Sequence, residues 1–227
     1  SQALKAVNGF GQMMIASRHG NFPVKKGDKL AGTRIIPLII EEEKMRAAKE
    51  AALAAAGGRP LLELKPFSHK KVGIVTTGNE VYYGRIQDTF TPVIEEKLKE
   101  FDTEIIGHVT WNDDDRKVTG SILEMIGKGA DVVICTGGMS VDPDDRTPLA
   151  IKNTGARIVS YGAPVLPGAM FLLAYYKQDK ERNSRTVAVM GLPGCVMYAR
   201  RTIFDLVLPR VLAEDEVTKE ELAALGE

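Results

Sequence analysis

The sequence predicts an α/β protein: a three-layer α/β/α arrangement around a mostly parallel sheet, with a small N-terminal α+β region in front of it. Two observations lead there. Short, continuous, β-branched or apolar runs at residues 72–76 and 131–135 have the pattern of strands buried on both faces. Between such runs lie stretches with apolar residues at helical spacing, Phe90, Ile94, Leu98 and Phe101 being the first of them. Strand and helix alternating in this way imply right-handed crossovers that place helices on both faces of one sheet.

Residues 1–67 read differently from the rest. Lys26-Gly27-Asp28 carries a turn signal between short apolar stretches. Residues 34–40 form a β-rich run that Pro37 pushes toward a sheet edge, since proline cannot donate to a ladder. Residues 41–56 are dense in Ala, Glu and Lys, with acidic residues where the dipole of a helix favours them. Gly57, Gly58 and Pro60 end that helix. Residues 66–71 make the domain junction, dividing the chain into 1–67 and 68–227. No repeat of solenoid period occurs.

In the second region the first strand, 72–76, leads to a helix that Pro92 suits in its first turn. Residues 104–109 are the next strand. Val118, Ile122, Met125 and Ile126 line a second helix, which starts after Asn112-Asp113-Asp114 and stops near Gly129. The strand at 131–135 follows, and Thr147-Pro148 opens a short helix that Gly155 ends. Residues 170–176 and 186–190 are further strands joined by a charged loop, 177–185, and a last long helix runs from about Cys195 to Leu208.

Composition narrows the function. The 227 residues balance 30 Lys+Arg against 30 Asp+Glu, so no bulk charge draws the chain to nucleic acid. Two cysteines, Cys135 and Cys195, exclude a disulfide framework and a four-thiolate zinc site. Apolar runs stay far short of the roughly 20 residues a membrane span needs. No secretion signal opens the chain, which points to the cytoplasm, and Ser1 in place of a methionine suggests a processed or excised chain.

Ligands of open α/β sheets bind beyond the carboxyl ends of the strands. Three strands here end in glycine-bearing polar loops: Thr76-Thr77-Gly78-Asn79-Glu80, Thr136-Gly137-Gly138-Met139-Ser140, and Gly191-Leu192-Pro193-Gly194 before a helix. Glycines let backbone N–H groups turn toward an anion, so the three loops predict a pocket for a phosphorylated small molecule. Neither a P-loop nor a dinucleotide fingerprint is present. Asp88, Asp113, Asp114, Asp142, Asp144 and Asp145 all fall near strand ends or helix starts. Asp113 and Asp114 are N-caps or catalytic acids. Asp142, Asp144 and Asp145 form either a solvated capping turn or a site where a magnesium ion bridges carboxylate and phosphate. His19, His69 and His108 lack metal-ligand spacing. Cys135 is a core residue; Cys195, at an expected helix N-terminus, is either a packed residue or a thiol of lowered pKa.

Taken together, these segments resemble the molybdenum cofactor biosynthesis (molybdopterin-binding) domain family. Residues 76–81 resemble its TGxE[LV] segment, and 84–89 the G-x-I-x-D-[ST] segment after it. Residues 130–140 resemble its "aDvvittGG.S" strand and loop, and 145–148 a D-x-TP element of the adenylyltransferase branch. Val165-Leu166-Pro167-Gly168 resembles the "vkPG" turn, and 191–194 with Pro209 the "GLPGNP…P" helix of the molybdotransferase branch. The resemblance runs in order over about 71–212. Asn79 stands where the family has Asp, and Cys195 where the molybdotransferase branch has Asn.

The resemblance implies the molybdopterin-binding fold and a pocket for molybdopterin or adenylyl-molybdopterin. It also implies either adenylyl transfer or magnesium-dependent insertion of molybdate by a transferase. On this basis Asp145, Asp88 and Glu80 are the expected catalytic acids, Asp145 and Asp88 also holding Mg2+. Thr77, Gly78, Asn79, Thr136, Gly137, Gly138, Met139, Ser140 and Asp142 are expected to bind the cofactor, with Pro167, Gly168, Gly191, Leu192, Pro193 and Gly194. A homo-oligomer, and a molybdoenzyme or pathway partner, are expected as well. Two alternatives stand beside this: a pyrophosphatase/amidase-type domain of the competence-damage-inducible family acting on ADP-ribose-like compounds, and a non-catalytic molybdopterin carrier or sensor.

Overall fold

The structure, a computed structural model, describes residues 2–140, 142, 145–180 and 183–226. It divides into two compact units, Ser1–Pro66 and Phe67–Glu227.

The first unit holds α1 (Gln2–Asn8), β1 (Met13–Ser17), β2 (Ala31–Ile35) and α2 (Glu42–Ala55). β1 and β2 pair antiparallel, from Met13 opposite Ile35 to Ser17 opposite Ala31. The Asn8 amide fixes α1 to β1, donating to the Ile15 carbonyl and accepting its N–H. α2 buries Ala48 and Ala52, one helical turn apart, as the Ala-rich sequence suggests. The strand expected at 34–40 is displaced: β2 ends at Ile35, and residues 36–40 lie outside it with Leu38 fully exposed. Pro37 has no N–H to continue a ladder.

The second unit is built on a six-stranded sheet of order β4-β3-β5-β8-β7-β6. Its strands are β3 (Lys70–Thr77), β4 (Thr103–Trp111), β5 (Val132–Thr136), β6 (Arg157–Tyr161), β7 (Leu172–Lys180) and β8 (Asn183–Leu192). β4, β3, β5 and β8 run parallel, while β7 is antiparallel to both β8 and β6. Its helices are α3 (Asn79–Tyr82), α4 (Phe90–Leu98), α5 (Asp115–Gly127), α6 (Thr147–Asn153), α7 (Ile203–Leu212) and α8 (Lys219–Ala223). The expected three-layer, mostly parallel α/β fold is what the chain forms.

Successive residues of the central strands feed opposite cores. Val72, Ile74, Val132 and Ile134 pack with Ile94 and Leu98 of α4 and with Ile203, Phe204 and Val207 of α7. Val75, Val133 and Cys135 pack with Ile122, Met125 and Ile126 of α5 and Ile151 of α6. Strands buried on both faces must be apolar at every position, which is why these runs carry no alternation. Asp114 accepts the backbone N–H groups of Arg116 and Lys117, so it takes the N-cap reading.

Two further expectations are corrected. The charged loop at 177–185 is mostly strand, because β7 and β8 pair out to Lys180 opposite Asn183. The helix expected from Cys195 to Leu208 is a single 3-10 turn, Gly194–Met197, followed by α7 beginning at Ile203. The break is fixed by a capping box: Thr202 accepts from the first turn while the Asp205 carboxylate takes the Thr202 N–H. Finally, β6 and α8 have no counterpart in the sequence reading. β6 is an edge strand with one buried residue, Val159.

Candidate functional site at the strand switch point

From β3 the chain crosses through α4 to β4 on one side, then through α5 to β5 on the other. Topology therefore reverses between β3 and β5, and the crevice of an open α/β sheet lies at that reversal. The glycine loops after Thr77 and Thr136 meet there. Gly137 has φ +80°, and a Cβ on it would stand 2.0 Å from the Thr77 carbonyl oxygen. Gly138 has φ +54°, and a Cβ there would stand 2.9 Å from the Thr147 hydroxyl. Only glycine admits both the left-handed backbone and this approach. Gly78 also has positive φ, +141°, yet its missing side chain faces open space.

Threonine hydroxyls lace the loops together. Thr147 Oγ1 donates to the Gly137 carbonyl at 2.8 Å, and Thr77 Oγ1 lies 3.0 Å from Thr147 Oγ1. Thr77 Oγ1 also donates to the Thr136 carbonyl at 3.2 Å. Thr147 thus serves the β5 loop, and makes no cap to its own helix. Below it a second chain runs outward: Thr136 Oγ1 donates to Thr76 Oγ1 at 3.1 Å, Thr76 lies 3.3 Å from Thr91 Oγ1, and Thr91 donates to Asp88 Oδ2 at 2.6 Å. His108 Nε2 closes on Thr76 at 3.0 Å and lies 3.7 Å from Asp88 Oδ2.

Asp88 also accepts the N–H groups of Phe90 and Thr91, the first turn of α4. Burial pushes its carboxyl up, but the Thr91 hydroxyl, these two N–H groups and the neighbouring His108 bring it net below the usual range. Asp145 accepts the Ser140 N–H at 2.5 Å and so pins the end of the β5 loop, while the Asp145 N–H donates to the Asp142 carbonyl. Tyr161 at the end of β6 donates to the Ser140 carbonyl. Burial, and then the Asp145 charge, push that phenol up.

The crevice brings together Thr77, Gly78, Thr136, Gly137, Gly138, Ser140 and Asp145 among the expected residues. Met139 is buried rather than presented: its sulfur would lie 2.6 Å from a Cβ on Gly191, so it wedges the β5 loop against β8. Asn79 donates to Asp113, joining the β3 and β4 loops. Glu80 is exposed in α3, where its carbonyl accepts the Arg85 and Ile86 N–H groups. Asp142 is exposed. Leu192 is fully buried in the α4/α7 core and Pro193 is buried beside it, so of 191–194 only Gly194 is exposed. Pro167 and Gly168 support α7: the Pro167 carbonyl accepts the Ile203 N–H, and a Cβ on Gly168 would stand 2.4 Å from an Ile203 methyl. Asp144 lies outside the described residues. Among the described residues no three His, Cys, Asp or Glu side chains converge as a metal site.

Thr91, Thr147 and His108 are site residues that sequence reading missed. A separate groove of about 630 Å³ lies between α4 and residues 196–200, lined by Pro92, Val93, Lys97, Met197, Tyr198 and Arg200. Of the two readings of Cys195, the structure favours the packed residue over the acidified thiol: it lies in the 3-10 turn, and burial pushes its thiol up. Among the described residues no helix is long and apolar enough to cross a membrane.

The fold and this crevice define a doubly wound α/β domain with a glycine-lined switch point. Residues 73–213 match the family described as a probable molybdopterin binding domain, well over half of the chain, and the protein belongs to that family. A CinA-like protein of Mycolicibacterium vanbaalenii is 36% identical over 78 residues, 34% of this chain and 18% of its own length. A molybdopterin molybdenumtransferase of Synechococcus elongatus is 25% identical over 165 residues, 68% of this chain and 39% of its own length. The chain thus spans well under half of these curated relatives. Among solved structures, the tungsten cofactor synthesizing protein MoaB of Pyrococcus furiosus is 24% identical with a TM-score of 0.47, covering 67% of this chain and 91% of that one.

Proposed function

We propose that the second unit binds molybdopterin or its adenylate in the crevice between β3 and β5 and serves molybdenum cofactor synthesis in the cytoplasm. The observation that carries this reading is the closure of the β5 glycine loop on Thr77. It sets backbone, not side chains, along the wall of the switch point, beside open space at Gly78. Such a wall suits a phosphate, because backbone donors approach an anion without a side chain intervening. Binding of either pterin to the full chain, measured as thermal stabilisation, tests it. Stabilisation by ADP-ribose with no response to either pterin would sink it in favour of the ADP-ribose reading.

For turnover, Asp145 is the acid best placed to hold magnesium against the phosphate. It lies at the loop end, and only one of its oxygens is drawn to Ser140. The metal would supply charge neutralisation at a phosphoryl group, while Ser140 and the glycine loop orient it. Asp145→Asn keeps an oxygen for the Ser140 N–H, so it should abolish magnesium-dependent adenylyl transfer or molybdate insertion and spare pterin binding. Unchanged turnover would remove Asp145 from this role.

A second reading, cofactor binding without turnover, is favoured by Asp88. Both of its oxygens receive hydrogen bonds from the first turn of α4, so this acid is engaged in holding the helix. Pterin binding with no transferase activity in the presence of magnesium and nucleotide supports that reading.

A further inference from the structure

The first unit buries little apolar surface of its own. Among its described residues the buried apolar side chains are Met13 and three alanines, Ala3, Ala48 and Ala52. Its most exposed aliphatic side chains lie in the segment between β2 and α2, where Ile36 is 67% exposed, Leu38 100% and Ile39 85%. The open face of the β1–β2 pair runs into this segment. Residues opposite one another in a pair of strands share a face. Met13 and Ile35 share one face, and Met13 is buried. Met14 and Arg34 share the other, where Met14 is half-exposed. Ile36 extends that pairing by one residue, its N–H donating to the Gln12 carbonyl.

At these exposures Met14, Ile36, Leu38 and Ile39 present on the order of 500 Å² of surface, most of it apolar. That is more than half of the roughly 800 Å² a side that a stable interface buries. Charge says what covers it. Arg34 stands at one end of the strip and Glu41, Glu42 and Glu43 at the other; all four are exposed, and among the described residues none forms an ion pair. A partner of a single charge sign would satisfy one end and oppose the other. Arg34 and Glu42 lie four residues either side of Leu38, so the pattern complements itself when reversed. A two-fold axis at Leu38 sets Arg34 of each copy against Glu42 of the other, with the aliphatic side chains meeting between them. Pro37 has no N–H to share in a ladder, so the side chains make the contact.

We propose that residues 36–40 form the centre of a two-fold interface between the first units of two copies of this chain, closed at each end by an Arg34–Glu42 pair. It joins the copies through the unit that lacks a core of its own, and it does not depend on what the crevice of the second unit binds.

Sedimentation equilibrium of the full chain, from micromolar to hundred-micromolar concentration and in low salt where exposed charges are least screened, tests this. A reversible dimer is expected. Leu38→Glu should weaken it by about tenfold or more. Far-UV circular dichroism should not change, because a fully exposed side chain holds nothing within the copy that carries it. Arg34→Glu and Glu42→Arg should each weaken the dimer severalfold, since each alone sets like charges together at both ends. Mixed in equal amounts, the two variants should associate as the parent does, because each supplies the charge that the other lacks. A folding defect within either chain would not be rescued in this way. A chain that stays monomeric throughout overturns the proposal and leaves the strip to a different protein. So does an oligomer indifferent to Leu38→Glu, or to both charge reversals, and so does a mixture that associates no better than either variant alone.

Discussion

The carbonyl oxygen of Thr77 would stand 2.0 Å from a Cβ on Gly137, closer than any two such atoms can pack. The pair joins the ends of β3 and β5, and so closes the floor of the crevice at the strand switch point. Two glycine roles are separable here: Gly137 and Gly138 permit contact, whereas Gly78, with nothing within 4 Å of its missing side chain, leaves space.

Gly137→Ala should therefore destabilise the second unit by about 2–4 kcal/mol, since left-handed strain and overpacking against backbone add. Gly120→Ala is the contrast. It sits inside α5 with open space around it, and should stabilise by about 0.5–1 kcal/mol through lost unfolded-state entropy. Urea unfolding of both variants checks the pair. Equal effects would mean that the Thr77 approach is not what requires glycine.

Thr147→Val keeps the shape of a side chain that is 1% exposed while deleting the hydroxyl that serves the Gly137 carbonyl. Leaving that part-buried acceptor without this donor should cost about 1–2 kcal/mol in unfolding free energy. Ligand affinity at the crevice should fall with it, because the β5 loop loses its anchor. Full stability together with full affinity would show the threonine lacing to be incidental.

Asp88 should give acid sensitivity of known sign. Its carboxyl is held below the ordinary 3.8, so the stability its charge contributes is complete above that value and is lost as pH falls through the lower folded value. Asp88→Asn keeps an acceptor for α4 but no charge. At pH 7 it should be less stable than the parent by about 0.3–1 kcal/mol, the scale of a carboxylate at a helix start. As pH falls below 3.8 the two unfolding curves should draw together; a difference that stays constant down through that range would mean that the charge does not contribute.

The fold was legible where burial is two-sided. β3 and β5 are apolar along their lengths, because residues such as Ile74 and Val75 enter different cores. β6 was not, because an edge strand with Val159 alone buried carries no continuous apolar run. α7 was misplaced although its start is written in Thr202 and Asp205, a capping pair three residues apart. Gly191 and Gly194 signal a helix start near Cys195, whereas the cap that forms is Thr202 with Asp205.

The site was legible in its glycines, because each marks a local backbone demand. Its threonines were not: Thr77 and Thr147 are 70 residues apart, and Thr76 and Thr136 are 60 apart, so their pairing exists only after the sheet forms. His108 likewise reads as an ordinary strand residue until β4 lies beside β3 and sets it against Thr76. The family resemblance implies a metal role for Asp88, whereas its hydrogen bonds to Phe90 and Thr91 are visible only in the turn.

The two cysteines turn the misplaced helix into a chemical test. A thiol at the first turn of a long helix would be acidified, whereas Cys195 lies in a 3-10 turn where burial raises its pKa above the ordinary 9.0. Cys135, wholly buried in β5, is pushed up to about 12. At pH 7.5 neither is appreciably thiolate, so iodoacetamide should modify the native protein slowly, and at Cys195 alone. In urea both should react at the rate of a free cysteine. Peptide mass mapping over a time course resolves the two sites. Native Cys195 reacting faster than the unfolded chain would show an activated thiol, and would restore the helix-terminus chemistry that this geometry removes.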